Sequence, residues 1–161
     1  MDLLMAIDMG TTHIKVATFD LEGNLHTVEM SRTNTKSLGV GQAVYDPEEI
    51  WDSVVELLRK TAAQLGPGQR VLSISVASMG EAGLLLDEQD RPLTPIISWF
   101  DVRGKEVMEG WYEKISQEEC FAITGLNYNY IYSLFKLLWY KKNQPEIFRQ
   151  AVKWLCMPDY I

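Results

Sequence analysis

The chain predicts an α/β fold, a mixed β-sheet carrying packed helices, and three observations predict it. Two apolar strand patterns meet at a tight turn: Leu4-Met5-Ala6-Ile7-Asp8-Met9-Gly10-Thr11-Thr12, then His13-Ile14-Lys15-Val16-Ala17-Thr18-Phe19-Asp20. A helix start, Asp46-Pro47-Glu48-Glu49, follows a third strand pattern. A further strand pattern returns at Val71 to Ala77. A meander, a crossover helix and another strand describe a mixed sheet rather than a dinucleotide-binding βαβ repeat.

The opening strands form a hairpin whose Gly-Thr-Thr tip leaves N–H groups and two hydroxyls unpaired, with the Asp8 carboxylate beside them. Such donors hold phosphate oxygens, and a carboxylate holds a hydrated magnesium ion. Lys15 adds a positive charge facing the same anion. An ordinary hairpin with a solvated aspartate has the same local pattern. Asp20-Leu21-Glu22-Gly23-Asn24 makes the next turn, and Leu25 to Ser31 alternates as a third strand. Thr33 to Ala43 is polar and glycine-rich and reads as a connecting loop, since its Gly39-x-Gly41 lacks a strand-to-helix context.

Asp46 is placed to cap a helix, with Pro47 at its first position and acids in its first turn. Ile50, Val54, Leu57, Leu58 and Ala62 recur at helical spacing, and Gly66-Pro67-Gly68 ends the helix. Val71 to Ala77 reads as a half-buried or interior strand. Ser78-Met79-Gly80-Glu81-Ala82-Gly83 interrupts it before Leu84 to Asp87 resumes the strand pattern. Ile96 to Trp99 is a short strand running into Phe100-Asp101-Val102-Arg103. From about Gly104 the spacing of Val107, Met108, Trp111, Tyr112 and Ile115 predicts a helix. Gln117 to Thr124 predicts another, stopped by Gly125. An aromatic loop, Tyr128 to Tyr132, precedes a helix that Ser133 is placed to cap and that contains Lys136. Pro145 begins one more helix, and Pro158-Asp159-Tyr160-Ile161 opens a further element.

With 161 residues, 47% of them apolar, the chain has enough for one core, hence one domain or lobe. A net charge of −7 argues against nucleic acid and anionic membrane surfaces as partners. Cys120 and Cys156 lack metal-ligand spacing, and no export pattern opens the chain, so reduced thiols in the cytoplasm are expected. His13 and His26 have no partner cluster for a transition metal. Three stretches offer polar chemistry beyond the first turn. Glu81 sits in a glycine-flanked break between strands, equally a bulge with a solvated acid. Asp101 and Arg103 alternate at a strand end, where a mutual ion pair is the simple alternative. Tyr128, Tyr130 and Tyr132 alternate in a loop, as sugar-stacking rings or as packing.

Asp8-x-Gly10-Thr11-Thr12-x-x-Lys15 resembles the first phosphate motif of the FGGY carbohydrate kinases, ATP-dependent sugar and polyol kinases of the actin-like, ribonuclease-H-like fold. Further matching stretches follow in family order: Asp46 to Trp51, Ile74 to Asp87 with Trp99 to Arg103, then Thr124-Gly125, Lys136 to Trp139 and Pro158 to Tyr160. The resemblance implies ATP and Mg2+ as cofactors, with Asp8 on the metal side and Gly10, Thr11, Thr12 and Lys15 on the nucleotide. It implies a sugar or polyol near Gly80, Glu81, Asp101, Arg103, Tyr130 and Tyr132. Glu81 matches a glycerol-binding glutamate of glycerol kinases, but Gly80 stands where their arginine does and Met79 replaces a frequent glutamine, which favours a longer polyol or sugar. Their substrate-contacting tyrosine falls by count on Ile131, between Tyr130 and Tyr132. The family's catalytic aspartate and its carboxy-terminal domain lie beyond Ile161. Residues 1–161 are therefore expected to be an incomplete amino-terminal domain, inactive alone, with apolar residues among Leu134 to Trp154 left exposed. A homodimer is an open possibility. The alternatives are another actin-like ATPase fragment and a non-catalytic binding or regulatory module.

Overall fold

The first sheet grows from the amino-terminal meander. In the computed structural model, which describes residues 1–161, β1 (Asp2–Met9), β2 (His13–Phe19) and β3 (Leu25–Arg32) run antiparallel as expected. Strand β6 (Arg70–Ser78) joins β1 in parallel, giving the order β3-β2-β1-β6. Alternation decides what is buried. Leu3, Met5, Ile7 and Met9, with Ile14 and Val16, face the core, whereas Leu4, Asp8 and Lys15 lie on the opposite face. The half-buried or interior strand expected at Val71 to Ala77 is an edge strand, with Leu72 and Ile74 at least half exposed.

Helix α1 (Pro47–Ala63) packs on the core face against β2 and β3. The Asp46 side chain accepts from the Glu48 and Glu49 N–H groups, so two donors of the first turn are satisfied. Its buried stripe is Pro47, Ile50, Val54, Leu57 and Thr61. Four residues beyond Leu57 the inward position is Thr61, and Ala62 is exposed.

A second, wholly antiparallel sheet has the order β4-β5-β8-β7-β9, from β4 (Lys36–Gly39), β5 (Gln42–Tyr45), β7 (Gly83–Leu86), β8 (Ile96–Ile97) and β9 (Lys153–Cys156). The loop expected over Thr33 to Ala43 is therefore largely a hairpin. Its turn residue Gly41 has φ +72°, and a Cβ there would meet Val102 at 2.6 Å, so only glycine fits. Strand β7 is buried on both faces. Leu84 and Leu86 join Met5, Ile7, Tyr45, Ile50, Val54 and Met157 in the main core. Leu85 joins Ile97 and Tyr140 in a smaller cluster under α4 (Ser133–Asn143) and α5 (Pro145–Gln150).

The remaining elements are short. A 3-10 turn, Val102–Gly104, leads into α2 (Lys105–Glu109), which ends at Gly110, so the longer helix expected through Ile115 gives way to turns. Helix α3 (Gln117–Thr124) has Ser116 as its cap and closes at Gly125 with φ +72°. Helix α6 (Met157–Tyr160) reaches back to β6, and no helix is long and apolar enough to cross a membrane.

Candidate functional site

The β1–β2 turn is braced from behind and open in front. Gly10 N–H donates to the His13 carbonyl at 3.0 Å. The Thr33 hydroxyl donates to the Gly10 carbonyl at 2.8 Å, and the Thr33 N–H donates to the Thr12 carbonyl at 3.0 Å. Thr33 escaped the sequence reading because its bond spans 23 positions. Thr11 and Thr12 are exposed, and their N–H groups have no internal acceptor. A Cβ on Gly10 would stand 3.2 Å from the His13 carbonyl, so the backbone approach here is tight. Asp8 and Lys15 face each other across the strands with Nζ to Oδ2 at 3.5 Å, and both side chains are about half exposed. That pair is long and hydrated, so both charges remain available to a ligand. The turn therefore fits a phosphate with its cation: free N–H and O–H donors, one ammonium and one carboxylate.

The parallel register sets what lies beside this turn. Met9 pairs with Ser78, so the carboxyl ends of β1 and β6 coincide and the Ser78 to Gly83 segment leaves the sheet next to Gly10. Ligands of open α/β sheets gather at such carboxyl ends. Gly80 is exposed, and a Cβ on it would meet nothing within 4 Å. On the other side of the segment, Gly83 pairs with Ile97. Two residues beyond Ile97, Trp99 is an exposed ring standing edge-on to Phe100 at 5.4 Å.

Glu81 is anchored on one side only. Its Oε2 accepts from the Ser133 N–H at 2.6 Å and from the Ser133 hydroxyl at 2.8 Å, while Oε1 has no protein donor. Ser133 was expected to cap α4; instead it is the first helical residue, and Glu81 supplies the acceptor from 52 positions away. Lys136, fully buried, donates from Nζ to the Glu81 carbonyl at 2.5 Å and to the Ile131 carbonyl. Burial pushes its pKa down to about 8 against the pull of Glu81 and Asp101.

Asp101 and Arg103, expected on the sugar side, form an internal pair instead. The Arg103 Nε and one terminal nitrogen donate to the two Asp101 oxygens at 2.8 and 2.9 Å, and Asp101 also accepts the Ala43 N–H at 2.8 Å. The guanidinium lies over Trp139 at 4.8 Å. Asp101 has no exposed surface and Arg103 very little, so both are turned into the fold. Tyr130 and Tyr132 are half-buried before α4; Lys105 sits 4.7 Å over the Tyr130 ring, and the Tyr128 hydroxyl donates to the Ile115 carbonyl at 2.8 Å. A hollow of about 380 Å³ beside Trp111, Lys114 and Leu138 includes none of the residues named for the site.

Three antiparallel strands, a crossover helix and a parallel strand beside β1, with a Gly-Thr-Thr turn at its carboxyl end, define the opening part of an actin-like ATPase fold. The chain belongs to the FGGY family of carbohydrate kinases, whose N-terminal domain is matched over residues 3–161. It is 31% identical over 162 residues to a gluconokinase of Bacillus subtilis, covering 98% of this chain and 31% of that protein. The crystal structure of gluconate kinase from Lactobacillus acidophilus superposes with a TM-score of 0.90 at 26% identity, over 99% of this chain and 32% of that one. That of xylulose kinase from Rhodospirillum rubrum gives 0.93 at 25% identity, over 98% and 33%. The chain thus spans about a third of the length of the relatives it matches.

Proposed function

We propose that this chain forms the phosphate turn and the sugar-side wall of an ATP-dependent kinase that transfers the γ-phosphate to a hydroxyl of a sugar or polyol. One observation carries the reading: the Met9–Ser78 register sets the Gly10 to Thr12 turn and the Gly80–Glu81 segment at the same end of one sheet. Thr11, Thr12 and Lys15 hold phosphate oxygens, Gly10 lets the backbone approach them while its own N–H stays on the His13 carbonyl, and Asp8 holds the magnesium ion through its open carboxylate. When bound, the magnesium nucleotide supplies the transferable group and neutralises its charge. Glu81 accepts a sugar hydroxyl through Oε1, and Tyr130 or Tyr132 offers aromatic surface to C–H faces. Asp101 and Arg103 support the wall from inside, and no carboxylate of this chain is assigned as the general base. The open space at Gly80 suits an acceptor longer than glycerol. Two free thiols and the use of ATP fit a cytoplasmic enzyme.

The test is sugar-dependent ADP release from a polypeptide that continues this chain over the length of its relatives, with gluconate, xylulose, fuculose, rhamnulose and glycerol as acceptors. Asp8→Ala abolishes turnover. Glu81→Ala raises the KM for the sugar about ten- to a hundred-fold, the weight of one charged hydrogen bond, while the KM for ATP changes little. ADP release that no acceptor stimulates defeats the kinase reading.

A further inference from the structure

Lys136 is a fully buried cation to which the phosphate turn gives no task. No carboxylate lies within ion-pair distance; its ammonium touches only the carbonyls of Glu81 and Ile131. Burying an ammonium this way is unfavourable unless its donors are used, and an apolar side chain would fill the same space more cheaply. The two carbonyls explain what it does. One belongs to the segment that leaves β6 beside the phosphate turn, the other to the aromatic loop between Tyr130 and Tyr132. Glu81 makes the return connection, because its carboxylate accepts both donors of Ser133, the helical residue that directly follows that loop. Lys136 and Ser133 lie three apart at the start of one helix, so both grip Glu81 from the same turn of α4. The charged groups around the ammonium are Glu81 from the segment before β7, Asp101 and Arg103 from the 3-10 turn, and the Cys156 thiol at the end of β9.

We propose that Lys136 is the positioning residue of the sugar-side wall: with Ser133 it locks the Glu81 segment to the aromatic loop, so that Glu81 presents Oε1 and the neighbouring tyrosines to one acceptor. This inference rests on the kinase reading above. The lock fixes Oε2 and leaves Oε1 as the one carboxylate oxygen for a hydroxyl. It also makes acceptor choice a property of the distance between two segments, set by a residue that never meets the sugar.

The experiment has two arms, so that failure of the lock and failure of the kinase reading are told apart. In the 161-residue chain, Lys136→Met keeps the aliphatic stem and removes the ammonium. Amide exchange at Ser133 then accelerates about ten-fold or more relative to Ile7 and Val16, which a uniform loss of stability would not produce. In the longer, active polypeptide, Lys136→Met and Ser133→Ala each raise the KM for the sugar about ten-fold and leave the KM for ATP within about two-fold. The double variant costs less than the product of the two, because both act through Glu81. Unchanged exchange at Ser133 overturns the lock. Accelerated exchange with an unchanged KM for the sugar overturns the positioning role. An unsubstituted enzyme that no acceptor stimulates overturns the sugar assignment, whereas faster Ser133 exchange in the variant still supports the lock.

Discussion

Asp101 and Arg103, two residues apart, close a bidentate ion pair in the interior, with Oδ1 and Oδ2 each taking one guanidinium N–H. The pair joins three parts of the fold: the β5 backbone through Ala43, the 3-10 turn through its own residues, and α4 through Trp139. Truncating either partner strands a buried charge. Asp101→Ala or Arg103→Ala is expected to destabilise the chain by about 3–5 kcal/mol, whereas replacing both with apolar residues of similar volume costs much less. Urea unfolding of the single and double variants measures the difference. A double-variant cost equal to the sum of the two singles would mean that the pair is not coupled.

Asp8 and Lys15 present the opposite case. Their 3.5 Å contact is half exposed, so Asp8→Ala is expected to change the unfolding free energy by less than about 1 kcal/mol. The same variant is expected to remove turnover in the longer polypeptide, if the proposed function holds there. A large loss of stability would reassign Asp8 to the fold and weaken its place beside the metal.

Lys136 predicts a pH dependence with a defined sign. Its pKa is about 8 in the folded chain against an ordinary 10.5, so between these values the unfolded chain binds more protons. Stability from this group is therefore level below about pH 8 and rises with pH from there to about 10.5. The difference in unfolding free energy between the unsubstituted chain and Lys136→Met should climb across that window, by at most about 1.4 kcal/mol per pH unit. A flat difference would place the ammonium in water.

Gly80 tests acceptor choice without touching the fold. A side chain there meets open space, and its φ is not in the left-handed region, so Gly80→Arg is expected to leave the melting temperature within a few degrees. In the active polypeptide the new guanidinium adds a donor beside Glu81 and narrows the site, shifting preference toward shorter polyols. The ratio of kcat/KM for glycerol to that for gluconate is the measurement. An unchanged ratio would move the sugar away from this segment.

What the sequence revealed follows the range of the interactions involved. Strands β1 to β3 and helix α1 rest on alternation, a helical stripe and a cap within four residues, so they are readable locally. Strand β4 carries no burial period because all four of its residues are exposed, and β9 is four residues whose pairing partner lies about seventy positions earlier at β7. The turn proposed for phosphate was legible because Asp8, Gly10, Thr11, Thr12 and Lys15 fall within eight consecutive positions. The surroundings of Glu81 were not, because the groups that bind it come from Ser133 and Lys136, and because burial, which no local spacing reports, takes Asp101 and Arg103 inside.

The last prediction concerns the 161-residue chain by itself. Phosphoryl transfer needs nucleophile, metal and leaving group aligned together, and lost alignment forfeits several powers of ten in rate. Of the proposed site this chain brings the β1–β2 turn and the Glu81 segment, both open to water, where each contact to ATP would be weak. Sugar-dependent ADP formation by this chain alone is expected to be undetectable. Its apolar surface should instead promote self-association. That surface is not chiefly where Leu134 to Trp154 suggested, since Leu134 and Val152 are the large apolar side chains exposed there. It is the first sheet, where Leu4, Val28 and Met30 are exposed and β6 offers a free edge with Leu72 and Ile74 bare and no charge from Val71 to Ser78. Such an edge pairs readily with another strand. Sedimentation of the chain should show dimers or larger species, and Ile74→Lys should return it to the monomer without changing its circular dichroism. A monomeric chain that releases ADP in response to sugar, and loses that response with Asp8→Ala, would mean that these residues already complete a catalytic site.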